Sequence, residues 1–208
     1  MHYEILDASR RNILLHLAFL KGEGFYLAGG TALALILGHR DSVDFDFFCP
    51  QNFDTKVQFE KIQQSLASHS LTIIAEEKNT LTFLINNSIK ISLFAYSYPL
   101  LNPLLEEEHL AIASLDDIAC MKLSAIVSRA TMKDYVDIYF ILKKITLAEL
   151  LEKIKKKMPE LDITLVLKSL VYFEDVLEEP LLFQGTNKVS FTEVKKQLKK
   201  EVSAKSPL

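Results

Sequence analysis

Two aspartates one residue apart, Asp44 and Asp46, lie in an apolar run, Val43-Asp44-Phe45-Asp46-Phe47-Phe48. Side chains alternate faces along a strand, so the two carboxylates project from one side with the aromatics packing behind. Carboxylates that close repel each other unless a cation lies between them. Mg²⁺ suits such a pair, because it accepts one or two carboxylates and completes its shell with water and substrate phosphates. Upstream, the apolar run Phe25-Tyr26-Leu27-Ala28 stops at Gly29-Gly30, and Thr31 opens a stretch of helical composition to Leu37. A phosphate needs several convergent N–H donors, and glycine lets a backbone come close enough to supply them. Thr31 adds a hydroxyl, and the helix start adds the positive end of its dipole. The spacing is neither a Walker loop nor a dinucleotide fingerprint, since the required lysine and third glycine are missing. The chemistry that uses both elements is in-line phosphoryl or nucleotidyl transfer, which two such ions can flank, one activating the acceptor hydroxyl and one holding the triphosphate.

Other uses of Asp-x-Asp fit less well. A haloacid-dehalogenase-type phosphatase places Thr or Val after its second aspartate, where this chain has Phe47. Neither that mechanism nor a glycosyltransferase Asp-x-Asp employs an upstream Gly-Gly turn.

The elements that must hold these residues are legible in outline. Residues 3–20 carry an imperfect apolar stripe and predict a helix, ended by Lys21-Gly22-Glu23-Gly24. Asp54 is the N-cap expected for a helix to about residue 68, with Val57, Ile62 and Leu66 inward. Strands are predicted over 71–75, 81–85 and 89–96, joined by turns at Lys78-Asn79 and Asn86-Asn87-Ser88. Beyond Pro99 and Pro103 the pattern is helical: 114–128 behind Ser114, 132–144, a helix from the capping box Thr146-Leu-Ala-Glu149 to Pro159, 162–176, and 192–204. This order predicts an α/β (α+β) fold, a mixed sheet with flanking helices followed by a C-terminal helical bundle. The expected division is an α/β domain over residues 1–102 and a helical domain over 103–208.

Nearly half of the 208 residues are hydrophobic and the net charge is −3, values of a globular chain with no general pull toward nucleic acid or membranes. Cys49 and Cys120 have neither the number nor the spacing of a disulfide framework or zinc site. The N-terminus places acids and arginines where a signal peptide has its apolar stretch, and no apolar run nears the ~18 residues of a membrane span. A cytoplasmic protein without a membrane partner is expected.

Taken in order, Gly29-Gly30-Thr31-Ala32-Leu33-Ala34-Leu35, His39-Arg40, Ser42, and Asp44-Phe45-Asp46-Phe47-Phe48 resemble the AbiEii/AbiGii-type nucleotidyltransferases of the DNA polymerase β-like superfamily. Members of that group include toxins of toxin–antitoxin and phage abortive-infection systems. Downstream, Lys122, Arg129 and Lys133-Asp134-Tyr135-Val136-Asp137-Ile138-Tyr139 resemble the family's second block, so the likeness covers roughly residues 25–142. It implies a nucleotidyltransferase fold and Mg²⁺-dependent transfer of a nucleoside monophosphate from a nucleoside triphosphate to a macromolecular acceptor, RNA/tRNA or protein. A cognate antitoxin is the implied partner. Asp44 and Asp46 are the implied metal ligands, and Gly29, Gly30, Thr31, His39, Arg40 and Ser42 the nucleotide-binding residues. Lys122 is expected to reach the phosphates, Asp134 to act as base or structural acid, and Asp137, on the same helix face, to be its partner.

One position departs from the pattern. The later strand that commonly supplies a third carboxylate reads Ser88-Ile89-Lys90-Ile91-Ser92-Leu93-Phe94, and its best-placed residue is Ser92. Serine is a poor magnesium ligand and no base at neutral pH. A catalytically weak or inactive nucleotide-binding or partner-binding module is therefore the alternative reading. The remaining signals are read as structural. The histidines have no metal spacing, Lys155-Lys156-Lys157 is a solvated helix face, and the lysine-rich tail from Asn187 is a surface helix. Tyr172, Phe173 and Leu181-Leu182-Phe183 are read as core.

Overall fold

In a computed structural model, which describes residues 1–205, the N-terminal stripe forms three short pieces. They are a 3₁₀ turn at Tyr3–Ile5, α1 (Ala8–His16) and α2 (Phe19–Gly22), in place of the single predicted helix. Ile5, Leu6, Ile13, Leu14 and Leu17 are nonetheless all buried. Then come β1 (Tyr26–Ala28), α3 (Gly29–Leu37), β2 (Phe45–Cys49), α4 (Thr55–Ser65), β3 (Leu71–Glu77), β4 (Thr80–Ile85) and β5 (Ile89–Ala95). Gly38, at φ +60°, closes α3 in the left-handed conformation that glycine adopts freely. The strand turns use Asn79, Asn86 and Asn87, all at positive φ, where asparagine is tolerated better than other L-residues. Asp54 caps α4 by accepting from the Lys56 and Val57 amides at 2.9 and 3.1 Å. The inward phase of α4 differs from expectation. Val57 is 49% exposed, while Gln58 is buried and donates to Glu23 at 2.8 Å.

Two strands were not foreseen, β6 (Leu105–Glu106) and β7 (Ala111–Ile112). They precede α5 (Leu115–Ser128), α6 (Met132–Ile141), α7 (Leu147–Lys157), α8 (Ile163–Val171) and α9 (Phe191–Ser203). The seven strands make one sheet in the order β3-β4-β5-β2-β1-β7-β6. β2 runs antiparallel to β1 and parallel to β5, and β7 runs parallel to β1. The sheet therefore draws strands from both sides of residue 103. Helix α3 packs on β1 and β2 and also on α5 and α6, which brings the helical half against the Gly-Gly turn.

A buried ion pair fastens the crossing segment. Asp117 accepts from the Leu101 amide at 2.9 Å, the Ser114 hydroxyl at 2.6 Å and Lys157 Nζ at 2.8 Å, and Lys157 also donates to the Pro99 carbonyl at 2.7 Å. Lys157 thus leaves the solvated face predicted for residues 155–157. An ionised Asp117 cannot be buried without a partner, and Lys157 supplies it. The fourth predicted helix also ends early: α8 stops at Val171, Tyr172 is extended, and residues 172–189 form an irregular strap. On it Tyr172 is exposed and Leu182 is 71% exposed, so these two are not core, while Phe173, Leu181 and Phe183 are partly buried. α9 begins before Thr192, because Ser190 and Glu193 form a capping box that places Phe191 in the core beside Tyr135 and Phe173.

Candidate active site

The β1–α3 turn and the start of β2 lie side by side because Ala28 pairs with Asp46 across the sheet. Gly29, at φ +70°, has no room for a side chain: a Cβ there would stand 2.9 Å from Asp46 Oδ2. At Gly30 a Cβ would stand 2.8 Å from Arg40 Nη2. The two glycines thus let a carboxylate and a guanidinium nest directly against the turn. Thr31 ties the turn to the approach of β2, its hydroxyl donating to the Asp44 carbonyl and lying 2.8 Å from Ser42 Oγ.

Asp44 immediately precedes β2 and Asp46 lies within it. Both line a cleft of about 450 Å³ together with Gly30, Thr31, Lys90, Lys122 and Asp134. Burial pushes the Asp46 carboxyl above its ordinary range, and the charge of Asp44 pushes it further, against the opposing influence of Lys90, Lys122 and a hydrogen bond from Ser92. A divalent cation between the two carboxylates would relieve both effects, so the oxygen donors present fit a hard cation that completes its shell with water and phosphate.

The opposite wall is a buried charge network. Asp137 is fully buried and accepts from His39 Nε2 at 2.8 Å and from Arg40 Nε and Nη2 at 2.8 and 2.9 Å, with Lys122 Nζ at 2.6 Å. Asp134, equally buried, accepts from Lys122 at 2.9 Å, from Arg129 Nε and Nη2 at 3.1 and 3.2 Å, and from Thr131 Oγ1 at 2.7 Å. Burial alone would raise Asp137, but the Lys122 and Arg40 charges and the bonds from His39 and Arg40 outweigh it and hold the carboxyl well below the usual range. Asp134 is lowered in the same way, burial being outweighed by Lys122 and Arg129. His39 is pushed down by burial, against the pull of Asp137, and is therefore neutral at pH 7. Its ring packs on Phe140 with centroids 4.9 Å apart. Two carboxylates among three cations leave this wall with an excess positive charge facing the cleft.

Three of the expected site residues, His39, Asp134 and Asp137, lie inside this buried network. The His39 ring is buried and engaged with Asp137. Asp137 has no free side to offer a substrate, and it anchors Lys122 and Arg40 instead. Asp134 has both oxygens occupied by donors and a carboxyl held below its ordinary range. Arg40 reaches the cleft edge, but three of its nitrogens already donate, to Asp137 and to the Asp41 carbonyl. Lys90 and the strap over the mouth were not foreseen. Lys90 Nζ lies 2.9 Å from Asp44 Oδ2. The strap docks through an Arg40–Phe183 bridge and an Asp41 amide bond to the Leu182 carbonyl at 2.7 Å, which sets Glu179 to Leu182 along the cleft. The Lys-x-Ser alternation of β5 could have pointed to Lys90; nothing local announces a bridge between residues so far apart in sequence.

The Gly-Gly turn, the Asp-x-Asp strand and the mixed sheet beneath them define a nucleotidyltransferase. The same fold is seen in MenT4, nucleotidyltransferase toxin Rv2826c from Mycobacterium tuberculosis H37Rv, at a TM-score of 0.60 and 16% identity over 96% of this chain and 82% of that one. It is also seen in JHP933 from Helicobacter pylori, at a TM-score of 0.56 and 19% identity over 98% of this chain and 89% of that one. The family model described as nucleotidyl transferase AbiEii toxin, type IV TA system, matches residues 12–204, and the chain belongs to that family. A relative described as uncharacterized protein aq_aa25 of Aquifex aeolicus (strain VF5) is 43% identical over 164 residues, 74% of this chain and 76% of its own length. Family membership carries nucleoside triphosphates as the general substrate, a divalent metal as the general requirement and a cognate antitoxin as the general partner. Among the described residues no helix is long and apolar enough to cross a membrane.

Proposed function

We propose that the cleft transfers a nucleoside monophosphate from a nucleoside triphosphate to a hydroxyl of a macromolecular acceptor, RNA/tRNA or protein, in the cytoplasm, with release of pyrophosphate. The observation that carries this reading is the pairing of Ala28 with Asp46, which sets the Gly29-Gly30-Thr31 turn against the Asp44/Asp46 pair in one cleft. Asp44 and Asp46 would hold Mg²⁺, which when bound neutralises phosphate charge and favours the attack on the α-phosphorus. Gly30, Thr31 and the amide end of α3 face the same space and bind triphosphate oxygens. Ser42 keeps Thr31 oriented. Lys122 directs positive charge at the phosphates, and Asp134 and Asp137 are positioning residues that fix Lys122 and Arg40. The acceptor hydroxyl oxygen attacks the α-phosphorus, its proton passing to water, as the bond to the pyrophosphate oxygen breaks. No carboxylate of the helical wall is free to take the hydroxyl proton, so the rate comes from alignment and charge, as in phosphoryl transfer generally.

The acceptor is identified by incubating the protein with each of the four α-³²P-labelled triphosphates and, separately, with extract RNA and extract protein. Label is expected in one fraction only and lost with Asp46→Asn. Equal labelling by the variant would remove Asp46 from the centre. Co-purification with the product of an adjacent reading frame tests for the antitoxin.

A further inference from the structure

Strand β5 is where a third carboxylate would stand, and it carries Lys90 and Ser92 instead. The register sets Ser92 opposite Asp46 and Ile91 opposite Phe45, so Lys90 falls beside Asp44. Residues two apart share a face, and Lys90 accordingly lines the cleft with its ammonium 2.9 Å from Asp44 Oδ2. Its backbone is fixed in the ladder opposite Leu84 of β4. The other basic side chains of the cleft are already engaged: Lys122 with Asp134 and Asp137, Arg40 with Asp137, Arg129 with Asp134, and Lys133 with Glu179.

From this placement we infer that Lys90 is a resident cation of the centre, holding the position beside Asp44 that a second divalent ion would otherwise take. The centre then works with one divalent ion, the one that arrives with the triphosphate. The inference rests on the nucleotidyl-transfer reading above and deepens it. With the ammonium beside Asp44, two carboxylates and one ammonium carry a single net negative charge, half of what the carboxylate pair alone would offer to two divalent ions. Ser92 is a buried neutral hydroxyl and offers little to a second ion. A lysine ammonium is a compact, strongly hydrated point charge on a flexible stem, which makes it a workable substitute for a hydrated metal. Lys90 thereby supplies fixed positive charge on the β5 side of the carboxylate pair.

Mn²⁺ in place of Mg²⁺ gives a test that does not depend on turnover. The protein is saturated with an α,β-methylene triphosphate and titrated with Mn²⁺, and electron paramagnetic resonance counts bound ions and detects spin-coupled pairs. One ion per bound nucleotide and no coupled pair are expected for the wild type and for Lys90→Arg. Lys90→Ala/Ser92→Asp, which exchanges the ammonium for a carboxylate, is expected to bind two coupled ions. A coupled pair in the wild type would overturn the inference and leave nucleotidyl transfer standing. A single ion in a folded double variant would also overturn it, because Lys90 would then not be what excludes the second. Absence of any nucleotide-dependent Mn²⁺ would remove the metal reading itself.

Discussion

Replacing Asp137 by Asn separates its role as an anchor from a role in chemistry. The change keeps the shape of the side chain and removes the charge that Arg40, Lys122 and the neutral His39 converge on at 2.6–2.9 Å. Arg40 and Lys122 are 3% and 5% exposed, so neither cation can reach water without disturbing the wall. Removing one partner of a buried pair costs roughly 3–5 kcal/mol. For a chain of this length about 2–4 °C of Tm is lost per kcal/mol, so a fall of roughly 6–20 °C is expected. Lys133→Ala is the control: it deletes a 3.0 Å pair with Glu179 whose side chains are 47% and 39% exposed. Such a pair is worth roughly 0–1 kcal/mol. Because the Asp137 carboxyl is held well below its ordinary value, its contribution is complete above the unfolded value and lost only as pH falls through the lower folded one. Melts followed by circular dichroism should therefore show a constant gap between wild type and variant from pH 8 down to about 4, closing only in stronger acid. An unchanged Tm with lost activity would refute the anchor role, and so would a gap that closed near pH 6.

Three further outcomes follow from the same contacts. Asp46→Asn should raise the Tm of metal-free protein at pH 8. Burial and Asp44 raise the folded carboxyl, so the deficit they cause is absent in acid and grows as pH rises through the folded value; melts in EDTA that show no gain at pH 8 would count against it. Gly30→Ala places a Cβ 2.8 Å from an Arg40 nitrogen that Asp137 holds in place. A loss of roughly 1–3 kcal/mol is expected in chemical denaturation, with weaker triphosphate binding by calorimetry; unchanged values for both would show that the turn is looser than the geometry. Lys157→Met strands Asp117 among its remaining donors and should cost roughly 3–5 kcal/mol. Lys156→Met, at an exposed position, should leave the denaturation midpoint near that of the wild type.

The parts of the centre that were legible in the sequence share one property: local contrast. Asp44 and Asp46 stand out because apolar residues surround them, and Gly29-Gly30 because a strand pattern stops there and a helix pattern begins. The capping residues Asp54, Ser114 and Thr146 were readable for the same reason, and the Ser190-x-x-Glu193 signature carried that information too. What could not be read depends on distant packing. The spacing of Asp134 and Asp137 is that of an exposed intrahelical pair, and only the approach of α3 to α5 and α6 turns them into buried anchors. Lys157 looks like its exposed neighbours until Asp117 is brought beside it. Strands β6 and β7 are two residues each, too short for an alternation to register, and β7 owes its existence to β1 far upstream.

The reaction proposed for this cleft moves the α-phosphoryl of a nucleoside triphosphate with its nucleoside. Parallel reactions with α-³²P- and γ-³²P-labelled triphosphate, an extract as acceptor, and wild-type and Asp46→Asn protein measure it directly. The α-label is expected to enter a macromolecule and the γ-label to leave as pyrophosphate, and both fluxes are expected to vanish in the variant. Transfer of γ-label to the acceptor, or α-label transfer that survives Asp46→Asn, would contradict the proposed reaction.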